Sequence, residues 1–141
     1  MNAQIFINLP VKDLDRSMNF YTKMGFTNNP QFSDGSAKCM VYSEAIFVML
    51  LTHERFQTFV TKPIADVANT TAAILSLSVE SVDKMNETVD NALSSGGREP
   101  AEPKDYGFMQ QRSIEDMDGH NWEIYYMDMS KFPTEENGSI N

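Results

Sequence analysis

Residues 4–9 alternate around large apolar side chains, the period of a strand. Pro10, which has no N–H for a ladder, is expected to end it. Asp13 is placed to cap a helix running to about Met24, with Leu14, Met18, Tyr21 and Met24 as its buried stripe and Gly25 as its stop. Three short strands are predicted next, over residues 26–32, 37–42 and 45–51, with Asp34-Gly35 turning between the first two. The pattern then restarts. Residues 72–79 form a strand-length apolar run, and Ser81 caps a second helix to about Ser94. Val82, Met85, Val89 and Leu93 are the inner face of that helix, and Gly96-Gly97 stops it. Strands follow over 98–101, 107–115 and 122–127, with Asp118-Gly119 turning before the last. The order is β-α-β-β-β, twice, which makes the chain an α+β protein of two tandem βαβββ modules.

The halves also share letters. Leu9-Pro10-Val11-Lys12-Asp13-Leu14-Asp15-Arg16 aligns with Leu77-Ser78-Val79-Glu80-Ser81-Val82-Asp83-Lys84, at the same strand-to-helix junction in each half. Duplication is the better reading of a match so placed. The predicted layout is a first module over 1–52, a linker over 53–70, a second module over 71–128 and a polar, frayed tail over 129–141. Within the linker, residues 54–60 suit a short helix that Lys62-Pro63 breaks. A connection this long is either a functional lid, a partner contact or a plain tether.

Composition narrows the function. The 141 residues are 41% hydrophobic and 22% charged, globular rather than disordered. Eleven Lys and Arg against 20 Asp and Glu give a net charge of −9. That argues against a nucleic-acid partner, which needs clustered cations. It permits a cationic ligand, although acidity usually serves solubility alone. One cysteine, Cys39, allows neither an internal disulfide nor a cysteine-built zinc site, and its strand-like setting suits a buried structural thiol. No apolar run is long enough to span a membrane, no secretory leader is visible, and the cytoplasm is the expected location. Dinucleotide, P-loop and nucleophile-elbow motifs are absent from the sequence.

Three segments resemble the vicinal-oxygen-chelate superfamily of glyoxalases, bleomycin-resistance proteins and extradiol dioxygenases. They are the junction Leu9 to Tyr21 ending in Phe20-Tyr21, the segment Leu77-Ser78-Val79-Glu80, and the hairpin Glu115-Asp116-Met117-Asp118-Gly119-His120-Asn121-Trp122-Glu123, where Met117 stands in place of the usual Pro. The resemblance covers about residues 4 to 128. It implies curled mixed sheets that form a cleft, with helices on the outer face, and a homodimer. It also implies where a divalent metal would sit, at the positions of Phe6, Met49, Ile74 and Glu123. Three of those four are apolar here, and one carboxylate does not hold a catalytic ion. His53 and His120 are the remaining imidazoles, and a structural or solvent-facing role is expected for both. No cofactor is therefore expected, and a divalent metal belongs only to the alternative reading below.

Strand parity still outlines a pocket. Phe6 and Asn8 share one face of the first strand, and Phe47, Met49 and Leu51 share the matching face of the fourth. Ile74 and Ser76 share a face of the fifth strand, and Glu123 and Tyr125 a face of the last. An apolar lining with few polar groups describes a ligand site, and a second filled core is the competing reading. Glu123, flanked by Trp122 and Ile124, is expected to be partly desolvated. It is either the anchor of a ligand, a structural partner of a cation such as Arg112, or a catalytic base. The leading expectation is a metal-independent binder of an amphipathic small molecule, which the acidity of the chain allows to be cationic. The alternative is a glyoxalase-like lyase, isomerase or dioxygenase, using a metal or Glu123 as general base. A structural module with a filled cleft is the third.

Overall fold

The computed structural model of the chain describes residues 2–133. Its elements are β1 (Ile5–Val11), α1 (Leu14–Lys23), β2 (Thr27–Asn29), β3 (Ala37–Val41), β4 (Ile46–Thr52), α2 (His53–Gln57), β5 (Ile74–Ser78), α3 (Val82–Ser94), β6 (Lys104–Asp105), β7 (Met109–Glu115) and β8 (Asn121–Met127). They build two four-stranded sheets, ordered β1-β4-β3-β2 and β5-β8-β7-β6. In each sheet the first strand pairs in parallel with the last, and the other pairings are antiparallel. The repeat seen in the letters is thus a repeat of topology.

Both helices start where the sequence caps them. The Asp13 carboxylate accepts the Arg16 N–H at 3.1 Å, and the Ser81 hydroxyl accepts the Lys84 N–H at 3.0 Å. Each satisfies a donor that the first helical turn leaves unpaired.

Several strand boundaries differ from expectation, each for a local reason. β1 runs through Pro10 to Val11. The Ile5 N–H donates to Ala45 O, so the odd residues of β1 bond β4 and the even ones face the free edge. Pro10 is even, so its missing N–H costs the ladder nothing. The predicted strand over 26–32 shortens to Thr27–Asn29, because Pro30 opens a 3₁₀ turn over Pro30–Phe32. Residues 98–101 contribute only a single bridge from Arg98 to Glu115; Pro100 and Pro103 interrupt the ladder before the two-residue β6. The linker helix forms over His53–Gln57. The expected frayed tail begins with a 3₁₀ turn at Met129–Lys131 and with Phe132 edge-on to Phe108, while residues 134–141 lie outside the described part.

One core joins the modules. Leu9, Val11, Phe20, Tyr21 and Met40 belong to the same buried cluster as Val89, Ile114, Trp122 and Ile124. The helices lie in this shared region and touch each other. Gly97 allows the close fit, since a Cβ there would meet the Phe20 ring at 2.8 Å and the Glu115 carbonyl at 3.0 Å.

A polar clasp sits inside this apolar junction. The Tyr21 hydroxyl donates to Asp116 Oδ2 at 2.6 Å and accepts from Trp122 Nε1–H at 3.1 Å. Asp116 Oδ1 accepts the N–H groups of Asp118, Gly119 and His120. Asp118 accepts the Lys12 N–H at 2.9 Å, and His120 Nε2–H donates to the Pro10 carbonyl at 2.8 Å. A carbonyl only accepts, so this bond places the His120 proton on Nε2.

Burial pushes the Asp116 carboxyl above the ordinary aspartate range, against the opposing pull of His120 and of the Tyr21 hydroxyl. Burial and the neighbouring Asp116 charge hold the Tyr21 hydroxyl well above the ordinary tyrosine range, so it stays protonated and donates.

Removing the hydroxyl by Tyr21→Phe strands Asp116 Oδ2 and the Trp122 N–H together. The expected loss is about 2–4 kcal/mol in urea unfolding; a loss below about 0.5 kcal/mol would show that the clasp holds nothing. The pH dependence follows from the raised carboxyl. Its stabilising contribution is present below the unfolded value and is lost as pH rises through the folded one. The advantage of the native chain over Asp116→Asn should therefore be larger near pH 4 than near pH 7, and an advantage that grows with pH contradicts this.

Candidate functional site

The face of each sheet opposite the shared core is open. On β1, Leu9 and Val11 are buried on the core face, while Phe6 is 48% exposed and Asn8 is exposed too; Ile5, at the start of the strand, is exposed although it shares the parity of Leu9. Phe6 pairs in register with Phe47, and their rings stack with centroids 4.3 Å apart. Met49, half-buried, pairs with Asn8 on the same face. Leu51 is different. It is 2% exposed, as is Cys39, near the end of the sheet where α2 packs against β1 and β4 and the Pro30–Phe32 turn packs against β3. That end of the face is therefore filled. Burial also pushes the Cys39 thiol up, which suits a structural role.

On the second sheet the open face carries Ile74, Ser76, Glu123 and Tyr125. Ile74 is 57% exposed. Glu123 is half-buried and stands between Ser76 of β5 and Ser113 of β7, its partners in register. Tyr125 lies between Ser78 and Gln111. Among the described residues the Glu123 carboxylate makes no ion pair and no side-chain hydrogen bond.

Arg112 is not its partner. It pairs in register with Ile124, on the helix-bearing face of the sheet. There the guanidinium meets Glu99 through two bonds of 2.8 and 2.9 Å, with further bonds to Asn86 and Asp90 of α3. The adjacent Glu99 carboxylate raises the guanidinium further above its ordinary value. Sequence reasoning missed this cluster because an i-to-i+1 step along a strand reverses the face. The register of β7 could not be read from its letters.

The candidate residues therefore gather as two groups. Phe6, Phe47 and Met49 line the open face of one sheet, with Asn8 beside Met49. Ile74, Ser76, Glu123 and Tyr125 line that of the other. Five cavities of the described residues are each lined by members of at most one of these groups. Phe47 also borders a broad hollow with Gln4, Val41 and Glu44.

The donors do not fit a catalytic metal. Among the described residues no three His, Cys, Asp or Glu side chains converge. His53 is exposed at the start of α2. His120 does fold inward, to 8% exposure, but its Nε2 is committed to the Pro10 carbonyl. Phe6, Met49 and Ile74 offer no hard donor beside Glu123.

The sequence matches the model of the Glyoxalase/Bleomycin resistance protein/Dioxygenase superfamily over residues 4–124. The chain belongs to this superfamily. The fold has the same company. A glyoxalase-related enzyme from Fulvimarina pelagi superposes with a TM-score of 0.76 at 17% identity, covering 100% of this chain and 98% of that one. A hypothetical protein from S. aureus gives 0.74 at 24% identity, covering 89% and 95%. A glyoxalase/bleomycin resistance protein/dioxygenase family enzyme from Burkholderia phytofirmans PsJN gives 0.73 at 14%, covering 89% and 99%. No curated protein matches the sequence. Membership in the superfamily accounts for the paired modules. At these identities it transfers no activity.

Because Arg112 faces α3, replacing it tests the geometry. Arg112→Gln should cost about 1–3 kcal/mol by leaving Glu99 without its two-pronged donor, read by thermal unfolding. The side-chain carboxyl ¹³C signal of Glu123 should stay in place. Movement of that signal in the variant would put the two side chains on one face after all.

Proposed function

We propose that this superfamily member is a metal-independent small-molecule-binding protein of the glyoxalase/bleomycin-resistance type. It holds an amphipathic ligand with a cationic or hydrogen-bonding end, and Glu123 is the polar anchor. The observation that carries this reading is the Glu123 carboxylate, half-buried on an open sheet face with two serines beside it and no cationic partner among the described residues. A carboxylate left uncommitted in such a place favours a ligand cation, since part of its hydration is already lost and the flanking hydroxyls can orient it. The stacked Phe6 and Phe47 rings offer the apolar and aromatic surface that the rest of such a ligand needs.

A second copy of the chain completes the site in this proposal. Phe6 and Ile74, on the open faces of the two sheets, are each about half exposed, at 48% and 57%. Exposed apolar side chains grouped on sheet faces mark an interaction surface. Docking the first sheet of one copy over the second sheet of another brings the aromatic group and the Glu123 group to opposite walls of one cleft.

The same uncommitted carboxylate supports a second reading, in which Glu123 removes a proton from a bound substrate as general base. Among the described residues no donor set for a metal stands beside Glu123, so this reading is of an enzyme that works through Glu123 itself.

The test is a thermal-shift screen with quaternary ammonium and guanidinium amphiphiles. A hit should raise the melting temperature of the native chain in proportion to RT ln(1 + [L]/Kd). Glu123→Gln should weaken the hit roughly tenfold or more, about 1.4 kcal/mol. Equal shifts in the native chain and the variant would remove Glu123 from the site. Consumption of a hit by the native chain alone would move the assignment to the general-base reading. Sedimentation equilibrium checks the assembly: a dimer is expected for the native chain and a monomer for Phe6→Asp combined with Ile74→Asp.

A further inference from the structure

β1 and β5 are the edge strands of their sheets, and their free edges border a cavity at the seam between the modules. The cavity measures about 230 Å³ and is lined by Ile7, Leu9 and Leu75, by Asn8, by Val67 and residues 70–73 ahead of β5, and by residues 119–121. It is separate from the open faces, since neither Glu123 nor Phe6 reaches it. The linker crosses the seam as a strap. It lies directly on the Gly119 turn, where φ is +102° and a Cβ would collide with the Val67 carbonyl.

Two properties of this lining define what it takes. The first is charge. In a chain with a net charge of −9, no Asp, Glu, Lys or Arg borders the cavity. Its one imidazole, His120, is committed to Pro10. An ion placed there would lose hydration with nothing to replace it. The second is the backbone. Odd residues of β1 bond β4, so the Asn8 N–H and C=O point to the free edge. The other acceptors on that edge are in use: Phe6 O receives the Asn8 side-chain amide, and Pro10 O receives His120. Asn8 therefore offers one donor and one acceptor side by side, the edge that a cis-amide pairs with.

We propose that the seam cavity is a second binding site, for a small uncharged molecule with a flat apolar body and one lactam- or amide-like edge, seated under the strap. A cavity of about 150 Å³ holds benzene, so 230 Å³ admits a bicyclic ring and little more. The ligand pairs with Asn8, packs on Leu9 and Leu75, and ties the two modules and the strap together.

The probe is 2-quinolinone, with quinoline-2-carboxylate as the charged control on the same frame, followed by ¹⁵N and methyl ¹³C NMR of the full chain. 2-Quinolinone should shift the Asn8 amide and the Leu9, Leu75 and Val67 methyls saturably, and leave the Ile5 and Ile74 methyls in place. Ala73→Leu, at an exposed residue whose larger side chain fills the cavity, should weaken binding at least roughly tenfold. Ala72→Leu, also at an exposed position, serves as a second plug if the first disturbs folding. Absence of saturable shifts at Asn8, equal binding of the carboxylate, or undiminished binding in a folded plug variant would each overturn the proposal. Failure of the Glu123 site leaves these readouts unchanged, because neither Glu123 nor Phe6 borders the cavity and Asn8 enters it through its backbone edge.

Discussion

The Asp116 carboxylate is the fixed point of this molecule. One oxygen gathers three N–H groups of its own turn, and the other receives a tyrosine from the opposite module. The turn so shaped then presents Asp118 and His120 to the first strand-to-helix junction. Every group in the clasp is satisfied, which is the condition under which a buried polar network specifies one arrangement rather than weakening the core. The apolar contacts around it supply the larger share of free energy but little direction. Around the clasp the rings of Tyr21, Phe26 and Trp122 meet edge-on or tilted, on the side of the sheets away from the open faces.

Much of this was legible in the letters. The helix caps at Asp13 and Ser81, the strand parity of β1 and β8, and the doubled βαβββ order all follow from spacing and residue type. Two of the three segments that carried the family resemblance turn out to be the two halves of the clasp. Tyr21 closes the first motif, and Asp116, Asp118 and His120 belong to the second. Their partnership was hidden because hydrogen bonds between residues about 100 positions apart leave no periodic trace in the sequence.

The departures from expectation, and the facing of Arg112 that parity left open, share a physical origin. Pro10 stays within its strand because only every second residue of an edge strand needs its N–H. Leu51 is sealed although its parity places it on the pocket face, because α2 and the Pro30 turn cover that end. Arg112 faces α3 because the register of β7 is set by its pairing with β8, not by its own composition. In each case neighbours along the sheet decide what a single strand cannot. For the site, the outcome is a narrower one than parity alone outlined: an aromatic group on one sheet, an uncommitted carboxylate between serines on the other, and, among the described residues, no donor set for a metal.

The most direct test of that last statement is elemental analysis of the protein, purified without a metal-affinity column, beside Glu123→Gln. The donor chemistry predicts less than about a tenth of an equivalent of manganese, iron, cobalt, nickel, copper or zinc in both. Close to one equivalent in the native chain, lost in the variant, would contradict the account and make Glu123 a metal ligand.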